Sequence, residues 1–129
     1  MTETPKSGYL FHLKPEEPAI VPWTITDRPV AVGRGDTAEA FVEDEKLSRG
    51  HFLIDRQNGE FFLIDLESAN GTWVNGKKVS ACKLHGEEII QAGGSIFRFS
   101  LKPTPVVTAT IPLHLLKNPK SATSEIRTA

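Results

Sequence analysis

The sequence is short of the residue types that disulfide-linked and metal-binding proteins need. Its 129 residues include one cysteine, Cys82, so no intramolecular disulfide can form and a reducing compartment is expected. The four histidines, His12, His51, His85 and His114, are scattered, and no two of them have the spacing of metal ligands. We therefore expect no metal site and no cofactor.

Long apolar runs and a surplus of positive charge are also lacking. The longest apolar runs are only a few residues, against the roughly 20 that span a bilayer, and the N-terminus is too polar for a secretory signal. The formal net charge is −1, whereas nucleic-acid binding by bulk charge needs an excess of Lys and Arg. At 39% hydrophobic residues the chain can still bury a core. These features predict a cytoplasmic protein that binds neither membrane nor nucleic acid.

Short apolar segments separated by Asn and Gly turns predict an all-β fold. Asn-Gly at 58–59 and again at 75–76 is the strongest local signal for a β-hairpin, because both residues tolerate positive φ. No long amphipathic helix is present, and the one short helical alternative covers residues 37–45. Strands are predicted at 9–14, 30–32, 51–55, 60–66, 72–74, 77–79, 87–91 and 95–101. Together they favour a sandwich or a barrel.

The composition changes after Leu101. Residues 102–129 contain four prolines, five threonines and a net charge of +3, which leaves −4 on residues 1–101. We predict a flexible N-terminus at 1–7, a folded domain at 8–101 and a basic tail or linker at 102–129. Within the tail, residues 111–116 are apolar enough to dock or to form a partner motif, but too few to fold alone.

Three polar clusters fall between the predicted strands. The first is Gly33-Arg34, the second is Ser48-Arg49-Gly50-His51 and the third begins at Asn70-Gly71-Thr72. An arginine after a strand presents a planar fork of donors that suits phosphate, and a serine adds a hydroxyl donor. An asparagine carries both a donor and an acceptor and can therefore bind a peptide main chain. Taken singly, each residue is more typical of a solvated loop or a turn than of a binding site.

The sequence also offers signals to weigh for two other functions, dinucleotide binding and catalysis. The segment from Gly33 to Ala38 satisfies G-x-G-x-x-A, with Asp55 about 20 residues further on, as in dinucleotide-binding proteins. That motif needs a following helix and a parallel strand, whereas hairpins follow here. No Ser-His-Asp or Cys-His arrangement stands in a recognisable context, so we expect no catalytic residues and no enzyme activity.

The ordered series Gly-Arg, Ser-Arg-x-His and Asn-Gly-Thr-x-x-Asn-Gly resembles the forkhead-associated (FHA) domain family over roughly residues 8–101. The resemblance implies a β-sandwich of two twisted antiparallel sheets with binding loops at one end. It also implies a module of intracellular signalling that recognises phosphothreonine in partner proteins, and that does so without catalysis.

The resemblance assigns roles to individual residues. Arg34 would clamp the phosphate and Ser48 would hydrogen-bond to it, while Arg49 resembles a further phosphate or peptide contact. Asn70 would bind the peptide main chain, and Asn75 is a further candidate for facing the peptide. Four residues would support the shape of the loops: Gly33, His51, Gly71 and Gly76.

One position departs from the family pattern. Ala69 stands where most members have Thr or Ser, so a hydroxyl that would contact the phosphate is missing. This leaves open an alternative function, a structural protein-interaction domain with weakened or lost phosphate recognition. The partner is expected to be a threonine-phosphorylated protein or peptide. The protein's own tail is a further candidate, because Thr123 and Thr128 lie far enough from Leu101 to reach the loops.

Overall fold

The structure, a computed structural model, describes residues 7–14 and 22–103. The predicted flexible N-terminus, apart from Ser7, and the predicted tail, apart from Lys102 and Pro103, lie outside the described residues, as do the threonines of the tail. Within the described part, the chain forms eleven strands: β1 (Gly8–His12), β2 (Trp23–Ile25), β3 (Val30–Gly33), β4 (Ala40–Phe41), β5 (Phe52–Gln57), β6 (Glu60–Asp65), β7 (Thr72–Val74), β8 (Lys77–Val79), β9 (Ala81–Leu84), β10 (Glu88–Ala92) and β11 (Ser95–Ser100). No helix in this part is long and apolar enough to cross a membrane.

The strands form two sheets packed face to face, which confirms the predicted sandwich. The six-stranded sheet has the order β2-β1-β11-β10-β7-β8, and the five-stranded sheet has the order β4-β3-β5-β6-β9. The described strand pairs are antiparallel except for β3 and β4, which run parallel. Alternate residues of each strand face the interior, where Phe52 of one sheet meets the edge of the Phe97 ring of the other at 5.6 Å between ring centroids.

The turns between strands agree with the sequence, since Asn and Gly occupy backbone conformations that most residues avoid. Asn58 and Gly59 have φ values of 54° and 80°, and Asn75 and Gly76 have 51° and 85°. Both pairs connect adjacent antiparallel strands, β5 to β6 and β7 to β8. The predicted hairpins are therefore confirmed.

Three strands were not predicted, and the helical alternative over residues 37–45 is wrong. That segment consists of turns around β4, a two-residue strand whose main chain pairs with β3. Ala40 is fully buried there, and Val42 N donates to Gly33 O at 2.9 Å. Strand β4 thus depends on a partner strand already in place, which a local pattern does not reveal. The other two, β2 and β9, are short segments of mixed polarity.

Register brings three connections to the same end of the sandwich. His51 N donates to Val32 O at 2.8 Å, and Leu66 N donates to His51 O at 2.9 Å. The end of β3, the start of β5 and the end of β6 therefore lie side by side. We call this end, formed by residues 34–39, 42–51 and 66–71, the loop end of the sandwich.

Candidate functional site

The first two connections of the loop end are joined through their main chains. Arg34 N donates to Ser48 O at 3.1 Å, and Gly35 N donates to Arg49 O at 3.1 Å. A Cβ atom on Gly33 would stand 2.0 Å from Arg49 O, so this close approach requires a glycine. The backbone thereby holds Arg34 directly beside Ser48.

The Arg34 side chain is exposed but oriented. Its Nε donates to Leu47 O at 2.7 Å. Within residues 7–14 and 22–103, its two terminal nitrogens have no hydrogen-bond partner. A guanidinium held at Nε keeps both terminal NH₂ groups available, and these are the donors that bind an anion in bidentate fashion.

Two side-chain bonds connect the second and third connections. Ala69 N donates to Ser48 Oγ at 2.9 Å, and Asn70 Nδ2 donates to Lys46 O at 2.9 Å. Because Ser48 Oγ accepts here, its O–H remains available to donate. Asn70 likewise retains its Oδ1 and its second N–H. The structure therefore brings Arg34, Ser48 and Asn70 to one group of loops.

His51 lies beneath these loops and is fully buried. Ser48 N donates to His51 Nδ1 at 3.0 Å, and His51 Nε2 lies 2.8 Å from Gly71 O. Since Nδ1 accepts from an N–H group, the ring proton is on Nε2, which donates to the Gly71 carbonyl. A single ring thus connects Ser48 to Gly71, although Gly71 lies 20 positions beyond His51 in sequence.

A carboxylate network that sequence reasoning missed supports the third connection. Asp65 accepts from Ser68 Oγ at 2.6 Å, from Ser68 N at 3.1 Å and from Thr72 Oγ1 at 2.7 Å. Burial alone would raise the pKa of Asp65, but these hydrogen bonds outweigh it and the pKa is lowered. Ser68 Oγ in turn accepts from Gly71 N at 3.0 Å. An Asp at a strand end with Ser three residues later is a turn signal that would have indicated this network.

Asp44 connects the loop end to the turn between β10 and β11, a second feature that the sequence analysis missed. Its carboxylate accepts from Gly94 N at 2.8 Å, Ser95 Oγ at 2.7 Å and Lys46 N at 2.9 Å. Burial raises the pKa of Asp44, and the bonds from Ser95, Lys46 and Gly94 more than offset it, so the pKa is lowered. The 42–51 connection is thereby held on two sides.

The remaining predicted site residues differ in whether they lie at the loop end. Arg49 is exposed beside Gly35 at the loop end. Gly71 has a φ of 90° that favours glycine. Asn75 lies just beyond the far end of β7, about 13 Å along the strand from Gly71. Its Oδ1 accepts from Ile89 N at 2.9 Å and its N–H donates to Ile89 O at 2.8 Å, so the structure does not bring its carbonyl group to the loop end.

The part of the chain that contains the loop end is similar to known proteins. A sequence model of the FHA domain matches residues 30–93. The chain is 30% identical over 105 residues to sarcolemmal membrane-associated protein of Oryctolagus cuniculus, covering 69% of this chain and 14% of that protein. It is 34% identical over 70 residues to an oxoglutarate dehydrogenase inhibitor of Corynebacterium diphtheriae, covering 54% of this chain and 49% of that protein. The chain therefore spans at most about half of the length of these relatives.

Solved structures with the same fold are FHA domains. One, from a study of phosphothreonine-dependent FHA domain interactions, has a TM-score of 0.67 and 26% identity, covering 76% of this chain and 99% of its own. The FhaA FHA domain, complexed with the intracellular domain of Rv3910, has a TM-score of 0.65 and 27% identity, covering 72% of this chain and 99% of its own. The sequence match and the shared architecture lead to the same conclusion: this chain belongs to the FHA domain family.

Proposed function

We propose that this protein is a phosphothreonine-dependent protein-binding module of intracellular signalling, with its ligand site at the loop end. The observation that carries the proposal is the set of hydrogen bonds that hold the Arg34 fork beside the Ser48 hydroxyl and Asn70. In this proposal Arg34 and Ser48 bind the phosphate, Arg49 adds positive charge beside it and Asn70 binds the peptide main chain.

The chemistry of these groups favours a phosphorylated ligand over an unmodified one. A phosphothreonine carries roughly −1.5 to −2 charges at pH 7 and three strong acceptor oxygens. Each charge-assisted hydrogen bond contributes about 1.5–3 kcal/mol. Unmodified threonine offers no anion to the Arg34 fork, so discrimination rests on the phosphate. Because the loops are already connected to one another, little further ordering is needed on binding.

Similar proteins support a binding function rather than catalysis. FHA domains are binding modules, and the FhaA FHA domain is complexed with the intracellular domain of another protein. We extend this to the present chain and propose that it has no enzyme activity of its own. A cytoplasmic location is part of the same proposal, because protein phosphorylation on threonine in signalling takes place there.

A second function, phosphate-independent protein binding, is favoured by one observation. Ala69 sits beside Ser48, with its N–H bonded to Ser48 Oγ, and its side chain supplies no hydroxyl to the site. A site with one donor fewer holds phosphate less tightly. The two functions differ in whether the affinity requires the phosphate.

Titration with a degenerate phosphothreonine peptide library and with the same library containing unmodified threonine tests the proposal. We expect binding of the phosphorylated library only. Arg34→Ala should lower that affinity about 100-fold or more, as expected for loss of two charge-assisted bonds. Arg34→Lys should recover little of it, because an ammonium group does not reproduce the bidentate fork.

Arg28→Ala is the matched control. Arg28 is exposed in the β2–β3 connection. This connection enters β3 at Val30, whereas Arg34 follows the other end of β3, so Arg28 lies at the end of the sandwich opposite the loop end. Its removal takes away the same charge and should leave the affinity unchanged. Equal binding of both libraries would support the phosphate-independent function, and unchanged binding by a folded Arg34→Ala variant would refute the site.

A further inference from the structure

The outer face of the six-stranded sheet carries a second apolar cluster. It consists of Phe11, Leu13 and Ile89, with Tyr9 and Ile96 packed against them. Strand alternation places them on the outer face, because their neighbours in sequence point into the core between the sheets. The register sets β1, β11 and β10 side by side, so the cluster extends across three adjacent strands. It also places Arg98 of β11, which pairs with Glu87, between Phe11 and Ile89.

These outward-facing side chains are buried. Phe11 is 0% exposed, Ile89 is 1% exposed and Leu13 is 6% exposed. The outer face of a two-layer sandwich ordinarily meets solvent. Every strand in residues 7–14 and 22–103 belongs to one of the two sheets, and the five-stranded sheet packs on the opposite face. Burial this complete therefore requires a covering segment from the rest of the chain.

The connection from β1 to β2 is too short to cover the whole cluster. Residues 15–21 join Lys14 to Pro22, which lies beside β1 at the edge of the sheet. Ile89 lies on β10, two strands beyond β1. The path from Lys14 to Ile89 and back to Pro22 is about 28 Å. Eight peptide steps reach about 26–29 Å only when fully extended. Eight steps therefore leave no length for the main chain to run over β10 and return, so this connection can cover the β1 side of the cluster at most.

We propose that residues 111–116 of the C-terminal segment dock on this cluster and complete the folded domain. Strand β11 is the middle strand of the three, so the chain leaves Leu101 between the two strands that bear Phe11 and Ile89. The level of these side chains lies about 10 Å back from Leu101, measured as three strand residues. Nine residues lie between Leu101 and Ile111, and their ten peptide steps are ample for the return.

The composition of the segment matches the apolar cluster. Four of its six residues are large and aliphatic: Ile111, Leu113, Leu115 and Leu116. Burying aliphatic side chains against an apolar face is favourable by the area removed from water. The folded domain then ends near Leu116 rather than at Leu101, and Thr108 and Thr110 are held near the sheet face and away from the loop end. The inference does not depend on the proposed phosphothreonine site.

Nuclear Overhauser contacts in the full chain identify the covering segment directly. With methyl groups labelled, we expect contacts from the Phe11 ring and the Ile89 methyls to the methyls of Ile111, Leu113, Leu115 or Leu116. Contacts to Ile20 or Val21 instead would overturn the proposal in favour of the β1–β2 connection. Contacts seen only between differently labelled molecules in a mixed sample would overturn it in favour of a second copy of the chain.

A charge placed in the segment tests its energetic role. Leu113→Asp should lower the midpoint of thermal unfolding by about 5 °C or more, because the carboxylate cannot stay buried against Phe11. Thr123→Asp adds the same charge outside the segment and should leave the midpoint unchanged. Equal midpoints for the two variants and the wild type would refute the docking. If Leu113→Asp does not fold, the contacts in the wild-type chain still decide the question.

Discussion

Replacing His51 by leucine tests how strongly the loop end depends on one buried ring. Leucine has a similar bulk but no hydrogen-bonding atom, so Ser48 N–H and Gly71 C=O lose their partners at His51 Nδ1 and Nε2. A buried polar group without a partner costs about 1–3 kcal/mol. Two such groups predict a loss of about 2–6 kcal/mol, out of a total stability that is typically about 5–15 kcal/mol.

Urea unfolding of His51→Leu measures this loss, with His85→Leu as the control because His85 is exposed. Phosphopeptide affinity should fall as well, since His51 joins the connection that bears Ser48 to the one that bears Asn70. A loss below about 1 kcal/mol together with unchanged affinity would refute the reasoning, because the ring would then not be holding the two connections together.

Three further predictions concern positions at the loop end. Gly33→Ala should unfold or strongly destabilise the domain in urea, because the added Cβ would stand 2.0 Å from a backbone oxygen. Gly50→Ala should be tolerated, because the nearest atom to its added Cβ is 3.6 Å away, and equal stabilities of the two variants would contradict the prediction. Ala69→Thr should strengthen phosphopeptide binding by up to about five-fold, or about 1 kcal/mol, in parallel titrations where the unphosphorylated peptide shows no change; a phosphate-independent gain would contradict it. Because the pKa of Asp65 is lower in the folded chain than its ordinary value of 3.8, its stabilisation is complete above that pH and is lost as the pH falls below it. The urea midpoint of the wild type should therefore fall more steeply with acid than that of Asp65→Asn, and parallel pH profiles would contradict the assignment.

The turns and most strands could be predicted from the sequence because their causes are local. Asn58 and Asn75 adopt positive φ before a glycine, and each pair joins two strands at the predicted position. The alternation of side chains in residues 95–101 likewise predicts β11, whose Phe97 and Phe99 are fully buried. Strand β4 could not be predicted, because its two residues are extended only through pairing with β3.

The candidate site also combines features that are local in sequence with features that depend on distant residues. The residue types of Arg34, Ser48 and Asn70 could be recognised from their order in the chain, and their proposed roles remain predictions. The contacts that bring their loops together could not be predicted, since the Ala69–Ser48 bond joins residues 21 positions apart and the Asn70–Lys46 bond joins residues 24 positions apart. The Asp44 carboxylate was missed for the same reason, since it bonds to Gly94 and Ser95, 50 and 51 positions away. The Asp65 network is local, and the serine three residues after Asp65 would have indicated it.

The sequence by itself determined where the chain turns, which side chains alternate and which donors stand between strands, because these depend on near neighbours and on backbone preference. The tertiary structure alone decided which strands share a sheet, which connections meet at the loop end and which outward-facing side chains are buried. Those outcomes depend on the pairing register of distant strands. A single ring, His51, shows the difference: its position in the motif and its bond to Ser48, three residues earlier, are local, but its contact with Gly71, 20 positions away, exists only once β5 and β6 have paired.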